Sequence, residues 1–336
     1  MKSVLAALIL FVPFWSKAQW KAIYTPTLAN GAFSAPSDSN LFYSYDAKTM
    51  YYSHDGGLKW NHFITEYDSE FIQDMDFVND SVGFACGGGW FTPHRNIVLR
   101  TTNAGKSWET LTRDSVGKYQ FLFEKIDFVN IDSGMVLGYS YNLYRTTDAG
   151  STWQQVNYDT VVNNNEVSDI YFYNGSLGFL TTIGGSAPLR KGRIYRTTDF
   201  GNTWVIVKEW DYSGSFIKAH FVNERVGYVG GNFGKLFKTT DGGTTWAETT
   251  IPPGNVISAL WFTDENTGYS NALGTIYKTT DGGASWNPQM MSPLNIVSDI
   301  QFSPSGNTGF LLAGNFLYKT TNGGGTTTIN NPALKS

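Results

Sequence analysis

Carboxylates in the segments expected to connect strands are the residues of this sequence that could do acid–base chemistry. Seven such residues are Asp68, Glu70, Asp114, Asp159, Glu166, Glu209 and Asp211. Two carboxyl groups that flank a glycosidic bond can hydrolyse it, one as the acid and the other as the base or nucleophile. Charged side chains in loops are, however, mostly solvated and without a catalytic role. Glycoside hydrolysis is therefore an alternative that the sequence leaves open.

The arginines do not strengthen this alternative. An enzyme that cleaves acidic sugars would need a set of arginines converging on the sugar carboxylate. Three of the eight arginines instead occupy one repeated position, which is lysine in later copies: Arg100, Arg145 and Arg196, then Lys238, Lys278 and Lys319. A position that accepts either cation in successive copies indicates a structural role.

Metal and nucleophile chemistry has no pattern to support it. The histidines His54, His62, His94 and His220 lack the spacing of metal ligands, and Cys86 is the single cysteine. Neither a nucleophile elbow nor a phosphate loop nor a dinucleotide fingerprint occurs. We expect no catalytic residue, no metal and no cofactor, with Cys86 as a small buried residue and His220 on the surface of a blade.

Aromatic and basic side chains concentrate in the longest irregular segments, 86–97, 112–125, 157–168, 184–193 and 208–218. Exposed aromatics beside arginine are typical of protein and carbohydrate contacts. The candidates for binding a partner are Trp90, Phe91, His94, Arg95, Tyr139, Tyr141, Arg190, Lys191, Arg193, Trp210 and Tyr212. The alternative is that several of these residues only cap the ends of strands.

A repeat positions these candidates. One short turn sequence, which we call the box, recurs seven times at intervals of 40 to 51 residues, with Asp or Asn at Asp55, Asn103, Asp148, Asp199, Asp241, Asp281 and Asn322. A tryptophan follows five residues later in the first six copies, at Trp60, Trp108, Trp153, Trp204, Trp246 and Trp286, and the seventh has Thr327. We expect the Asp or Asn to accept hydrogen bonds from N–H groups two residues on, and the following glycine to supply a positive φ. The interval is typical of one four-stranded propeller blade.

A second pattern predicts the inner strands of the blades. Aromatic anchors at Phe77, Phe128, Phe172, Phe221, Phe262 and Phe302 are each followed, six or seven residues later, by glycine and a large apolar residue. Each unit thus reads as strand A, a tight turn, strand B, a loop, strand C, the box and strand D, with Phe33 as the expected anchor of the first unit. The prediction is an all-β, seven-bladed β-propeller with its boxes on one face and its longer loops on the other.

These boxes resemble the Asp-box, or BNR, repeat of sialidases, other glycoside hydrolases, sortilin-type receptors and photosystem II stability/assembly factor-like proteins. The string from Thr239 to Trp246, preceded by a Phe…Gly-Tyr strand pair, is most similar to the last group. That resemblance implies an exported, chaperone-like propeller that binds a protein partner, without implying a photosystem. Because fold does not fix function, a glycan-binding or sialidase-like propeller remains the alternative.

The two ends of the chain carry further expectations. Residues 1–18, ending at Ala18, have a short apolar run, 4–15, which is typical of a cleaved signal peptide and too short to span a membrane. We therefore expect a periplasmic or secreted protein with a propeller over residues 19–325 and a tail over 326–336. The segment from Trp20 to Thr25 should be the outer strand of blade seven, with Trp20 in the place of the missing box tryptophan. A net charge of −4 gives no attraction for nucleic acid.

Overall fold

The computed structural model describes residues 20–23, 31–68, 70–89, 95–114, 122–138, 142–157, 167–184, 191–210, 214–252, 254–291, 297–313 and 316–325. Over these ranges the chain forms seven antiparallel sheets of four strands each. The innermost strands of successive sheets contact one another around a ring. The prediction of a seven-bladed β-propeller is confirmed. In this part of the chain no helix has the length and apolar character needed to cross a membrane.

The blades follow the order of the chain, and within each blade the strands run from A, at the centre, to D, at the rim. Blades one to three comprise β2 Ala32–Ser34, β3 Leu41–Ser44, β4 Thr49–Ser53, β5 Asn61–Ile64; β6 Phe71–Phe77, β7 Gly83–Gly89, β8 Arg95–Thr101, β9 Glu109–Asp114; and β10 Phe123–Phe128, β11 Gly134–Gly138, β12 Asn142–Thr146, β13 Gln154–Val156. Blades four to six comprise β14 Val167–Phe172, β15 Gly178–Thr182, β16 Gly192–Thr197, β17 Val205–Trp210; β18 Phe216–Phe221, β19 Gly227–Gly231, β20 Lys235–Thr239, β21 Ala247–Thr250; and β22 Leu260–Phe262, β23 Gly268–Ala272, β24 Thr275–Thr279, β25 Asn287–Met291. Blade seven comprises β26 Asp299–Phe302, β27 Gly309–Ala313, β28 Phe316–Thr320 and, as its outer strand, β1 Lys21–Ile23.

Aromatic stacking joins neighbouring blades. Phe84 of blade two lies face to face with the anchor Phe128 of blade three, with ring centroids 3.5 Å apart, and Tyr228 and Phe262 repeat this contact between blades five and six. The glycine before each stacked residue is required because the anchor ring of its own blade covers it. A Cβ at Gly83 would lie 2.5 Å from the ring of Phe77. The Phe…Gly-Phe pattern therefore encodes both the strand pair and the interface between blades.

The anchor of blade one differs from the prediction. β2 pairs Ser34 with Phe42, as β6 pairs Asp76 with Phe84, so that Ala35 and not Phe33 occupies the anchor position. Phe33 lies two residues earlier, with its ring centroid 6.1 Å from that of Phe310. The expectation followed the aromatic ring rather than the strand register, because blade one has no aromatic residue at the anchor.

The hydrogen bonds within the boxes also differ from the prediction. In the fifth box, Oδ1 of Asp241 accepts from the N–H of Thr245, four residues on, at 2.9 Å, whereas the N–H of Gly243 donates to Oγ1 of Thr239 at 2.9 Å. Gly243 has the expected positive φ of 81°. The hydroxyl of the threonine two residues before the aspartate thus accepts the hydrogen bond from the glycine N–H. The aspartate instead accepts from N–H groups at the start of strand D.

Each box also contacts the A-to-B turn of its own blade. In blade three, the N–H of Ala149 donates to the carbonyl of Asp132 at 2.8 Å, and corresponding bonds occur in the other blades. In these turns Asn130 and its equivalents accept from the N–H groups two and three residues on. The boxes and the A-to-B turns therefore share one face of the ring, as predicted.

Replacing a box aspartate is expected to lower stability without affecting function selectively. Asp241→Ala removes the acceptor of Thr244, Thr245 and Thr239, whose hydrogen bonds hold the pKa of Asp241 down at about 2. Because the turn is exposed, water partly replaces these bonds, and we expect a loss on the order of 1 kcal/mol in the free energy of unfolding. Denaturant unfolding checks this value. Asp241→Asn is the matched control, since boxes two and seven have Asn at this position. An alanine variant that kept its stability but lost partner binding would contradict the structural role.

The N-terminal strand closes the ring as predicted. β1 pairs antiparallel with β28, with Lys21 opposite Lys319 and Ile23 opposite Leu317. Trp20 is 5% exposed and lies edge-on to Phe302 at 5.9 Å, as Trp286 lies edge-on to Phe262 at 6.1 Å. Trp20 thus takes the place of the tryptophan that the seventh box lacks. Residues 326–336, the expected tail, lie outside the described residues.

Candidate partner-binding face

The propeller has two unlike faces. We call the end with the boxes and A-to-B turns the box face, and the end where B connects to C and D leads to the next A the loop-rich face. The antiparallel registers place these two sets of connections at opposite ends of every blade. Binding residues concentrate on loops carried by a rigid scaffold. The loop-rich face is therefore the candidate functional surface.

Four of the predicted binding residues fall within the described part of the chain: Arg95, Lys191, Arg193 and Trp210. They lie on strand ends or connections at the loop-rich face, Arg95 in blade two and the others in blade four. The other seven predicted residues, Trp90, Phe91, His94, Tyr139, Tyr141, Arg190 and Tyr212, lie outside the described residues. The binding role of all of them stays a prediction.

An ion-pair cluster occupies the loop-rich end of blade four. The carboxylate of Glu209 lies 3.1 Å from Nζ of Lys191 and 3.0 Å from Nε of Arg193, and a guanidinium nitrogen of Arg193 donates to the hydroxyl of Tyr195. The hydrogen bond from Lys191, followed by that from Arg193, lowers the pKa of Glu209. Glu209 is thus suited to salt bridging, and poorly suited to serve as a general acid near neutral pH.

The position of Trp210 differs from the prediction, which placed this residue in a loop. It ends β17 opposite Gly192, and its ring centroid lies 5.7 Å from Phe216 and 5.3 Å from Phe237. Gly214 backs the indole so closely that a Cβ there would lie 2.3 Å from the ring. Trp210 therefore packs between blades four and five, because strand D extends further than the polar composition of the segment indicated.

The structure shows a set of exposed apolar residues that sequence reasoning missed. Blades one, five, six and seven each carry one exposed large apolar side chain, in the B-to-C connection or, in blade seven, at the first residue of strand C: Tyr45, Phe233, Leu273 and Phe316, with exposures of 43%, 52%, 55% and 41%. These four blades are consecutive around the ring because blade seven adjoins blade one. We call these four residues the apolar arc. For Phe233 and Leu273 the signal was a large apolar residue directly before glycine in a short connection, whereas Tyr45 and Phe316 have no glycine after them.

The repeated cations of strand C have a structural role, as the sequence indicated, because each of them joins its blade to the next. Each donates to a carbonyl in the box of the next blade: Arg100 to Ala149, Arg145 to Phe200, Arg196 to Gly242, Lys238 to Gly282, Lys278 to Gly323 and Lys319 to Gly56. These side chains are committed to the scaffold and do not converge on a ligand.

The remaining loop carboxylates do not assemble a catalytic pair among the described residues. Asp68 lies on the surface, 2.6 Å from Nζ of Lys48, whereas Glu70 is buried. Asp159, Glu166 and Asp211, together with the side chain of Asp114, lie outside the described residues.

Metal-binding and thiol chemistry have equally little support. In the described ranges no group of three or more His, Cys, Asp or Glu side chains could hold a metal ion. Cys86 is fully buried, as expected, and burial raises the pKa of its thiol. The position of His220 differs from the prediction of a blade surface. Its side chain is 7% exposed and lies in the wall of the central channel.

Comparison with known proteins gives a family match across most of the chain. The family described as photosynthesis system II assembly factor YCF48 matches residues 12–116 and 160–331. No curated protein sequence matches the chain.

Three solved structures are similar in fold. A structure described as YCF48 bound to D1 peptide has a TM-score of 0.69 at 19% identity, covering 90% of this chain and 97% of that one. YCF48 from Cyanidioschyzon merolae has a TM-score of 0.67 at 16% identity, covering 90% and 99%. A GH74 enzyme from Niastella koreensis has a TM-score of 0.70 at 16% identity, covering 92% of this chain but only 55% of the enzyme. Identities this low show the fold alone.

Proposed function

Because the chain belongs to the photosynthesis system II assembly factor YCF48 family, we propose that it is an exported, non-enzymatic propeller that binds a protein partner through its loop-rich face. In this proposal it serves as an assembly or stability factor, in the periplasm or outside the cell. The structure described as YCF48 bound to D1 peptide supports a protein as the class of partner.

The apolar arc is the observation that carries the choice of face. Of the ten exposed large apolar residues in the described part of the chain, five lie on the loop-rich face: the four of the arc and Val256. Only Leu58 and Ile131 lie on the box face. Exposed large apolar side chains that are more frequent on one face than on the other favour that face as the protein-binding site. The arc spans four adjacent blades, which suits an extended partner segment better than a compact ligand.

Backbone strain within the arc supports the same conclusion. Phe233 and Leu273 have φ values of 56° and 48°, in the left-handed region that bulky side chains rarely adopt. Glycine or asparagine would occupy these turns at lower cost. Strain retained at an exposed position is a reason to infer use of the side chain, here as an apolar contact with the partner.

The enzymatic alternative has less support. The likeness to the GH74 enzyme spans about half of that protein. In this chain Glu209 is held in salt bridges, and the repeated arginines join the blades. A fluorogenic glycoside panel tests this alternative directly, since turnover that a single loop-carboxylate substitution abolishes would replace the present proposal.

Partner capture with matched variants tests the proposed face. Leu273→Asn combined with Phe316→Thr removes two apolar side chains of the arc, and Asn is well tolerated at positive φ. We expect the melting temperature to change little and the retention of partner protein from a periplasmic extract to fall at least about fivefold. Ile131→Asn is the control, because it removes an apolar side chain of similar exposure from the box face. Equal loss in the control, or none in the arc variant, would contradict the choice of face.

A further inference from the structure

The central channel holds a cavity of about 240 Å³ between the inner strands. Each inner strand places the residue just before its anchor position in the wall, and we call this set the first ring: Ser34, Asp76, Asp127, Tyr171, His220, Trp261 and Gln301. The residues three before the anchors form a second ring, nearer the loop-rich face: Asp74, Lys125, Asp169, Lys218 and Asp299. Neither ring belongs to the proposed partner-binding face.

The lysines of the second ring are already paired. Nζ of Lys125 lies 3.9 Å from Asp74, and Nζ of Lys218 lies 3.5 Å from Asp169, which is almost fully buried. The second carboxylate oxygen of Asp169 accepts from the N–H of Ala219 at 2.9 Å. Both cations are thus balanced within their own ring.

The first ring, by contrast, contains two carboxyl groups without a basic partner. Oδ2 of Asp76 accepts from the N–H of Phe128 at 2.8 Å, and Oδ2 of Asp127 accepts from the N–H of Phe172. Among the described residues no ion pair includes either group. Each keeps one oxygen, Oδ1, that these backbone bonds do not use.

His220 provides an independent acceptor in the same wall. Its Nε2 donates to the carbonyl of Phe262 at 2.8 Å, and burial lowers its pKa to about 4, so that the ring is neutral near pH 7. In the neutral ring Nδ1 is then an acceptor, and among the described residues the hydrogen bond that the imidazole makes is the one from Nε2. The imidazole packs against Trp261 at a tilt of 35°, with ring centroids 4.5 Å apart, while the hydroxyl of Tyr171 donates to the carbonyl of Phe221. The first ring therefore presents the acceptor Nδ1 of His220 and aromatic surface beside the two carboxyl groups.

We propose that the channel binds an organic ammonium ion, with the nitrogen between Asp76 and Asp127 and the alkyl chain against Trp261 and Tyr171. An ammonium group donates three hydrogen bonds and is attracted to aromatic faces. The Oδ1 atoms of Asp76 and Asp127 and the rings of Trp261 and Tyr171 match these two properties. A metal ion is less favoured as the ligand, because the described residues contain no group of three or more His, Cys, Asp or Glu side chains that could hold one. The ammonium belongs either to a free amine or to a lysine side chain.

Binding of this cation is linked to protons. Burial, followed by the charge of neighbouring Asp74, raises the pKa of Asp76 to about 7, and burial and Asp76 raise that of Asp127. The other charged groups around the pair are Asp74, Lys125, Asp169, Lys218 and Asp299, and Lys218 opposes these shifts. An ammonium ion must displace protons from the carboxyl pair, so its binding tightens as the pH rises.

Calorimetric titration with butylammonium chloride tests the proposal, with butanol as the uncharged control. We expect saturable binding of butylammonium at pH about 8, weaker by about tenfold at pH about 5.5, and no binding of butanol. Asp76→Asn and Asp127→Asn each keep an acceptor for the backbone N–H and should weaken binding about tenfold. Asp132→Asn removes the same charge from an A-to-B turn and should leave binding unchanged.

A capped peptide containing one lysine distinguishes the sources of the ammonium group. Binding of both probes assigns the site to a lysine side chain, and binding of butylammonium alone assigns it to a free amine. Absence of saturable butylammonium binding, equal binding of butanol, or binding that the two channel variants leave unchanged would each overturn the proposal. Circular dichroism of every variant confirms that the propeller remains folded.

Discussion

A chain shortened to begin at Pro26 is expected to lose most of the stability of the ring, compared with a chain that begins at Gln19. The missing segment contains β1, which covers the edge of β28, and Trp20, which contacts Phe302 and Tyr269. Removing a buried tryptophan alone costs about 3–5 kcal/mol, and the bare edge of β28 adds to this loss. Urea unfolding followed by circular dichroism should show a markedly lower midpoint, with Trp20→Ala giving the larger part of the effect.

Two controls separate ring closure from a general effect of shortening the chain. Lys21→Ala changes an exposed residue of the same strand and should shift the midpoint little. A chain that ends at Asn330 should likewise unfold close to the full-length midpoint. Unchanged stability in the chain that begins at Pro26 would show that the ring does not depend on β1.

The fold was predictable because local signals repeat. The glycine and the Asp or Asn of each box mark a turn, and the box interval fixes the length of a blade. Ring closure was also predictable, because the seventh box lacks tryptophan while Trp20 opens a segment resembling the other D strands. The hydrogen-bond partner of the box aspartate was not predictable, because only the turn geometry shows that the threonine hydroxyl, and not the aspartate, accepts from the N–H of Gly243.

The candidate surface was less predictable because exposure depends on the neighbouring blade. Trp210 has the composition of a loop aromatic, yet Phe216 and Phe237 of blade five cover its ring. Leu273 directly precedes a glycine, but only its position at the tip of a turn shows that the side chain is exposed. In the channel, the alignment of Asp76, Asp127 and His220 before their anchors was visible in the sequence. Their convergence required the ring.

The channel carboxyls also predict how stability depends on pH. In the fold the pKa of Asp76 is about 7, above the value of about 3.9 in an unfolded chain, so the unfolded state loses its proton first as the pH rises. The contribution of Asp76 to the free energy of unfolding is therefore largest below pH about 4, and it is lost as the pH rises from about 4 to about 7. Asp127 and Asp299 shift in the same direction. Two other sets of groups oppose them at lower pH. His220, whose pKa in the fold is about 4, contributes stability that is fully present above pH about 6.5. The exposed box aspartates Asp241 and Asp281, whose pKa values are about 2, contribute stability that is fully present above pH about 4.

Asp76→Asn isolates the contribution of one carboxyl group from these opposing effects. The amide oxygen can still accept from the N–H of Phe128, but it carries no charge that burial penalises. We expect the variant to be more stable than the wild type at pH about 7.5, by on the order of 1 kcal/mol, and equally stable at pH about 4. Urea unfolding in phosphate and acetate buffers, which contain no amine, measures both differences. A variant that is less stable than the wild type at pH about 7.5 would show that Asp76 is ionised in the fold and that the aspartate stabilises the channel as an anion.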